Sequence, residues 1–155
     1  FSFWHETSPN PLLRKEREKT NMTLKFQQSE LKNIQAPNFI MSPAELKDYI
    51  DFPVKRVYFI TQPTGPTGSH CHKVEIEFFI MIQGSCTAVI DRGNGLEEFE
   101  LEGPLSALYV GNFVWHHFKD FSSDAILLAL SSTNYNTDRS DYIEDYEEYK
   151  KIVAG

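Results

Sequence analysis

The sequence predicts an all-β chain of short strands that close into a barrel or sandwich, finished by a C-terminal helix. Three observations carry this. Apolar and β-branched segments recur at regular spacing from Val54 to Ser131, with Gly, Pro, Asn or Asp turn signals between them. The aromatic complement is large, with 12 Phe, 7 Tyr and 2 Trp in 155 residues, and such wide side chains suit half-buried pleated surfaces. Helical periodicity is confined to Ser140–Val153, where Tyr142, Ile143, Tyr146 and Tyr149 fall on one side and charges on the other.

In chain order, residues 1–21 mix Pro, Ser and dense charge and read as a weakly structured extension, with Met22 a natural start. One domain is expected over 22–155, its barrel core over about 53–135. Leu24–Gln35 reads as a first strand and turn. Ser42-Pro43-Ala44-Glu45 carries a capping signature, with Ser as N-cap and Pro at the first helical position, so a short helix is expected over Pro43–Tyr49. Pro53 breaks it. Strands follow at Val54–Thr61, Glu75–Gln83, Ser85–Asp91, Leu96–Leu101, Ala107–Val110, His116–Phe121 and Ala125–Ser131. Gln62–Ser69 is a Gly/Pro loop, Gly84 turns one strand into the next, and Arg92-Gly93-Asn94-Gly95 is a hairpin turn. A C-terminal helix is expected over about 140–153.

Composition bounds the function. Hydrophobic residues make up 41% and charged residues 24%, which suits a globular domain. The formal net charge of -7 argues against nucleic acid or an anionic membrane surface as partner. No apolar run is long enough to span a membrane, and no apolar signal segment is visible. Cys71 and Cys86 are too few for a disulfide framework and form no CxxC, so they are expected as reduced thiols in a cytoplasmic protein.

The chemistry concentrates at His70-Cys71-His72. On a strand, residues two apart share a face, so both imidazoles point one way and Cys71 the other. Two imidazoles on one face suit a metal site or proton transfer near neutral pH, although a lone pair of this kind is as often a plain surface feature. The context is more specific. After His72 come four residues and Glu77, six more and Gly84, and a later strand carrying His116. That spacing is the cupin signature. It predicts a cupin (double-stranded β-helix, jelly-roll barrel) with a short helix before the barrel and a C-terminal helix. In metal-binding cupins three His and one Glu converge on one ion. Here those would be His70, His72, Glu77 and His116, a donor set for Zn, Mn, Fe or Ni.

A closer resemblance then emerges. Arg56-Val-Tyr-Phe-Ile60, Gly68-Ser-His-Cys-His-Lys73, Gln83-Gly-Ser-Cys86, Tyr109-Val-Gly111 with Val114-Trp-His116, Asp120-Phe-Ser-Ser-Asp124, and Asp141-Tyr-Ile143 with Asp145-Tyr146 occur in that order. Together they resemble the dTDP-4-keto-6-deoxyglucose 3,4-ketoisomerases, the cupin sugar isomerases of deoxysugar biosynthesis. The resemblance implies a ketone moved between C4 and C3 of a nucleotide-linked 4-keto sugar. It implies no metal or other cofactor, and His70 and His72 as the acid–base pair, with their two roles left open. The hydrogen on C3 is α to the C4 ketone and therefore acidic, so a base of suitable pKa yields an enediol and a proton is returned to C4. A homodimer is also implied, and pairing of barrels through edge strands would hide an aggregation-prone edge.

Further substrate-binding residues are expected. Arg56 suits a pyrophosphate or carbonyl, or a plain salt bridge. Tyr58 shares its strand face and suits the sugar, or core packing. Lys73 suits a phosphate, Trp115 suits stacking on thymine or sugar or else the core, and His116 points into the barrel.

Three departures from the family pattern stand out. Thr67-Gly68 replaces an Arg-Gly before the first histidine. Glu77 replaces a Gln, which restores the fourth ligand of a metal cupin and adds negative charge beside the histidines. Asp-Tyr-Ile is followed by Glu144 instead of Arg, and an early Asp-x-Arg-Gly is not recognisable in residues 22–52. Two alternatives therefore stay open: a metal-dependent cupin enzyme using His70, His72, Glu77 and His116, and a sugar-binding cupin without catalysis.

Overall fold

The structure, a computed structural model, describes residues 24–155. The extension expected over 1–21 lies outside the described residues. Twelve strands and one α-helix follow in order among them: β1 (Phe26–Glu30), β2 (Ile34–Gln35), β3 (Ile40–Met41), β4 (Arg56–Thr61), β5 (Thr67–His72), β6 (Glu77–Gln83), β7 (Ser85–Asp91), β8 (Leu96–Glu102), β9 (Ser106–Val110), β10 (Trp115–Lys119), β11 (Ile126–Ser131), β12 (Tyr142–Ile143) and α1 (Tyr146–Ala154).

The strands form two five-stranded sheets, ordered β1-β9-β6-β11-β4 and β12-β5-β10-β7-β8, with β2-β3 as a separate hairpin. Every pairing is antiparallel. The sheets face each other across a core that includes Phe79, Met81, Ile90, Leu108, Phe118 and Leu127. This is the jelly-roll barrel that the strand spacing predicts.

The continuous apolar run of β6 is explained by burial on both faces. Phe79 and Met81 enter the barrel core, while Phe78 and Ile80 pack outward with Tyr109 and Leu130, beneath Tyr49, Ile50 and Phe52. The segment before the barrel therefore serves as a cover. The helix expected over Pro43–Tyr49 reduces to a single 3-10 turn at Leu46–Asp48, opened by Glu45 with no side-chain cap. The expected cap, Ser42, instead donates its hydroxyl to Asn33 Oδ1 at 3.1 Å. So short a segment does not repay helix nucleation, and packing of its aromatics on the sheet decides its path.

The C-terminal helix begins later than its periodicity suggests. Asp145 is the N-cap, accepting a hydrogen bond from the Glu148 N–H at 3.0 Å. Tyr142 and Ile143 are extended instead, pairing with His72 and Cys71 of β5. Helix α1 then lies over a third apolar cluster of Cys71, Trp115, Ile143 and Tyr149. Cys71 thus points away from the barrel interior, as the alternation of the His-Cys-His run requires. Among the described residues no helix is long and apolar enough to cross a membrane.

Tyr149 pins this layer. It is fully buried, and its hydroxyl lies 2.8 Å from the Asp91 carbonyl and 3.0 Å from that of Phe113. Trp115 stacks obliquely on Tyr146 and Tyr149 with ring centroids 5.1 and 5.4 Å away. Trp115→Ala is expected to lower stability by about 3–5 kcal/mol, read as a reduced urea midpoint with an unchanged slope.

Candidate active site

Strand pairing assembles the site. Gly68 sits at φ +96°, and a Cβ there would fall 2.8 Å from His117 Cα, so β5 and β10 approach closely because this residue has no side chain. The register shifts at His116/His117, and His70 lies directly opposite His116. β12 then closes the other side of β5 and sets Tyr142 opposite His72. From the facing sheet, β6 contributes Glu77 and β4 contributes Arg56 and Tyr58.

These side chains surround a cavity of about 230 Å³ lined by Arg56, Tyr58, His70, His72, Glu77, Tyr135 and Tyr142. The His70 ring lies 4.7 Å from His72, 4.8 Å from His116 and 4.8 Å from Tyr142, centroid to centroid. His72, Glu77 and His116 are almost completely buried, whereas His70 is half-buried at the cavity wall.

Glu77 is the electrostatic hub. Its Oε1 accepts the Tyr58 hydroxyl at 2.5 Å, and its Oε2 lies 3.6 Å from His72 Nε2 and 3.4 Å from His116 Nε2. His116 Nδ1 sits 3.0 Å from the Val114 carbonyl. Behind His72, Nδ1 lies 3.2 Å from Asp141 Oδ2 and 3.4 Å from Glu75 Oε2. Neither contact is an aligned hydrogen bond, and Glu77 Oε2 likewise has no aligned partner among the described residues. Glu75 is held in turn by the Ser131 hydroxyl and by the Arg56 guanidinium at 2.5 Å.

These surroundings divide the two histidines. Burial together with neighbouring His116 and His72 pushes His70 down to about 3, so it stands neutral. Burial also works against charge on His72, but the Glu77 contact and the charges of Glu77, Glu75 and Asp141 outweigh it and raise its pKa. Geometry points the same way: both His72 nitrogens face carboxylate oxygens, whose negative charge favours the protonated ring. Burial opposes the charge on Glu77 too, yet His116 and His72 hold its pKa well below the ordinary value. Glu75 moves upward through burial and the neighbouring Glu77 charge.

Six of the eight residues singled out from sequence converge here: Arg56, Tyr58, His70, His72, Glu77 and His116. Two do not. Trp115 is only 5% exposed and packs beneath α1, because it alternates with His116 on β10 and must face away from the barrel interior. Lys73 lies just past β5 and lines a neighbouring groove of about 300 Å³ with Asn134, Asn136 and Asp141. Sequence reading missed Glu75, Tyr135, Asp141 and Tyr142 as site residues. Glu75 carried a signal, since it stands two residues before Glu77. Tyr142 was hidden by its apparent place in a helical tyrosine stripe.

The site also fits a divalent ion by its donors. His70, His72 and His116 each offer a ligand atom within 4.8 Å of the others, and Glu77 Oε2 faces the same space without an aligned partner.

Comparison with known proteins identifies the family. The profile of the family described as "FdtA: WxcM-like, C-terminal" matches residues 24–154. A TDP-4-oxo-6-deoxy-alpha-D-glucose-3,4-oxoisomerase from Aneurinibacillus thermoaerophilus is 42% identical over 107 residues, covering 68% of this chain and 76% of the relative. Among solved structures, a 3,4-ketoisomerase from Helicobacter canadensis superposes with a TM-score of 0.75 at 30% identity, covering 85% of this chain and 99% of that one. The sugar 3,4-ketoisomerase QdtA from Thermoanaerobacterium thermosaccharolyticum, in complex with TDP, gives a TM-score of 0.74 at 31% identity, covering 83% and 93%. With nearly all of its described length matched, this chain belongs to the FdtA-like family of cupin sugar ketoisomerases.

Proposed function

We propose that this protein is a nucleotide-sugar 3,4-ketoisomerase that moves the ketone of a TDP-linked 4-keto-6-deoxyhexose from C4 to C3. The observation that carries the reading is one strand face bearing two imidazoles side by side at the wall of one cavity, His70 and His72, with surroundings that push the pKa of the first down and of the second up. Relatives named as TDP-sugar 3,4-ketoisomerases support it.

The chemistry follows from the division between the two rings. His70 is the base and takes the proton from C3. The C3–H electron pair forms the C3=C4 double bond, and the C4 oxygen takes a proton from the His72 imidazolium. The enediol then collapses in the other direction. The C3 hydroxyl returns its proton to His72, and C4 receives the proton held on His70. No proton is gained or lost overall. Glu77 holds His72 in its charged form, while Tyr58 and His116 fix Glu77. Arg56 and Tyr142 line the same cavity and contact the sugar.

A metal-assisted reading rests on Glu77 Oε2. His70, His72, Glu77 and His116 would hold a divalent ion, which would polarise the C4 carbonyl as a Lewis acid. The acid–base route requires the imidazoles alone.

A homodimer formed through β4 completes the reading. β4 ends its sheet, and its outward Val57 and Phe59 are 56% and 66% exposed. The opposite barrel edge, β8, carries Glu97, Glu98, Glu100 and Glu102, whose like charges oppose self-pairing. Antiparallel pairing of β4 with its own copy has the two-fold symmetry of a closed dimer.

Four measurements test these readings. In heavy water, the purified protein introduces deuterium at C3 or C4 of a TDP-4-keto-6-deoxyhexose, and His70→Asn abolishes this; a wild-type protein giving no exchange rejects the isomerase. For the charged His72, kcat/KM falls as pH rises through its raised pKa, and Glu77→Gln moves that falling limb to lower pH while activity persists. Elemental analysis with thermal melting separates the metal reading, which requires a stoichiometric ion and a higher Tm on metal addition. In light scattering the 17.9 kDa chain runs as a dimer that Phe59→Lys converts to a monomer.

A further inference from the structure

We infer that Asp141 is a positioning residue for the isomerisation: it sets both the ring of His72 and the separation between His72 and Glu77. His72 ends β5 and Glu77 begins β6, so the intervening residues 73–76 fix how these two groups meet. Three consecutive N–H groups of that turn converge on Asp141. The Lys73 N–H donates to its carbonyl at 2.9 Å, the Val74 N–H to Oδ1 at 2.7 Å, and the Glu75 N–H to Oδ2 at 3.2 Å. Oδ2 is also the oxygen 3.2 Å from His72 Nδ1. One side chain therefore caps the turn and meets the rear nitrogen of the ring whose Nε2 faces Glu77.

Asp141 reaches this place because Tyr142 and Ile143 pair with His72 and Cys71, which anchors the residue just before them at the end of β5. The contact lies on the far side of the ring from Nε2, so a bond completed at Nδ1 would set the ring plane and point Nε2 towards Glu77. Asp141 is removed from the cavity wall, so it acts through His72. The second carboxylate near Nδ1, Glu75, is bound by Ser131 and Arg56 through Oε1 and presents Oε2 at 3.4 Å, so Asp141 at 3.2 Å is the nearer of the two.

The kinetic arm of the test rests on the isomerase reading; the spectroscopic arm does not. Asp141→Asn keeps the shape of the side chain and an acceptor for the turn but presents a donor or a weaker acceptor to Nδ1. Displacing a reacting group slightly costs about a hundredfold in rate, so kcat is expected to fall by about that factor while KM stays within about threefold. In ¹⁵N-labelled wild-type protein without ligand, His72 is expected to show a hydrogen-bonded Nδ1–H resonance, assigned by its loss in His72→Gln, which moves or vanishes in Asp141→Asn. An unchanged resonance with kcat within about threefold of wild type would overturn the inference and leave Asp141 as a turn cap alone. Absence of that resonance in the wild-type protein overturns it as well, even if the variant does not fold. A wild-type protein that shows the resonance but no turnover would reject the isomerase reading and leave Asp141 as the partner that orients His72.

Discussion

A carboxylate taken out of water without partners costs several kcal/mol, and Glu77 is only 2% exposed. The architecture around it answers that cost. Tyr58 donates from β4, and the imidazoles of His72 and His116 approach from β5 and β10. β4 and β6 belong to one sheet, β5 and β10 to the other. The two halves of the barrel thus meet at this point through charge, where elsewhere Phe79 and Leu127 of one sheet meet the apolar core with Ile90 and Phe118 of the other. A shift of either sheet would leave a buried charge unpaired, so the electrostatics here constrain the register as firmly as the apolar core does.

The same arrangement separates two chemically identical side chains. His70 and His72 stand two residues apart on one strand face, yet one is pushed towards neutrality and the other towards charge. The difference lies in what stands behind each ring. His72 has carboxylates at both nitrogens. His70 has His72, His116 and Tyr142 around it, which offer little to stabilise a second positive charge. Environments that drive a pair of titratable groups apart are how a site obtains an acid and a base from one residue type.

How much of this was legible in the sequence depends on the range of the interaction. The strand series and the shared face of His70 and His72 follow from spacing and period-two alternation, which are local; the convergence of Glu77 and His116 is an expectation that rests on the resemblance to cupins. For Trp115 the sequence leaves substrate binding and the core both open, and its alternation with His116 is what puts it on the opposite face, under the helix. The segment before the barrel was not legible, because a capping signature predicts a helix only where nothing competes, and Tyr49 and Phe52 pack on the sheet instead. Nor was Asp141, whose role comes from a two-residue strand, β12, that brings the end of the chain beside β5. Nothing in the periodicity of Ser140–Val153 separates an extended Tyr142 from a helical one. The pairing with His72 decides it.

The family pattern also leads one to expect arginines where this chain has Thr67 and Glu144, and the structure shows how local chemistry absorbs one of these changes. Glu144 pairs with Arg139 at 2.5 Å, and the Arg139 guanidinium lies 3.9 Å from the centroid of the Tyr142 ring. Tyr142 in turn meets His70 and His72 at 4.8 and 4.5 Å. A cation therefore stands at the rim of the cavity, displaced along the chain and accompanied by its own anion. The pair is well exposed on both sides, so opening it costs little. Arg56, by contrast, is tied to a buried Glu75, and drawing it away would strand that carboxylate. The two arginines thus differ by burial: Arg56 holds the interior charge network in place, and Arg139 lies exposed beside Tyr142, paired with Glu144.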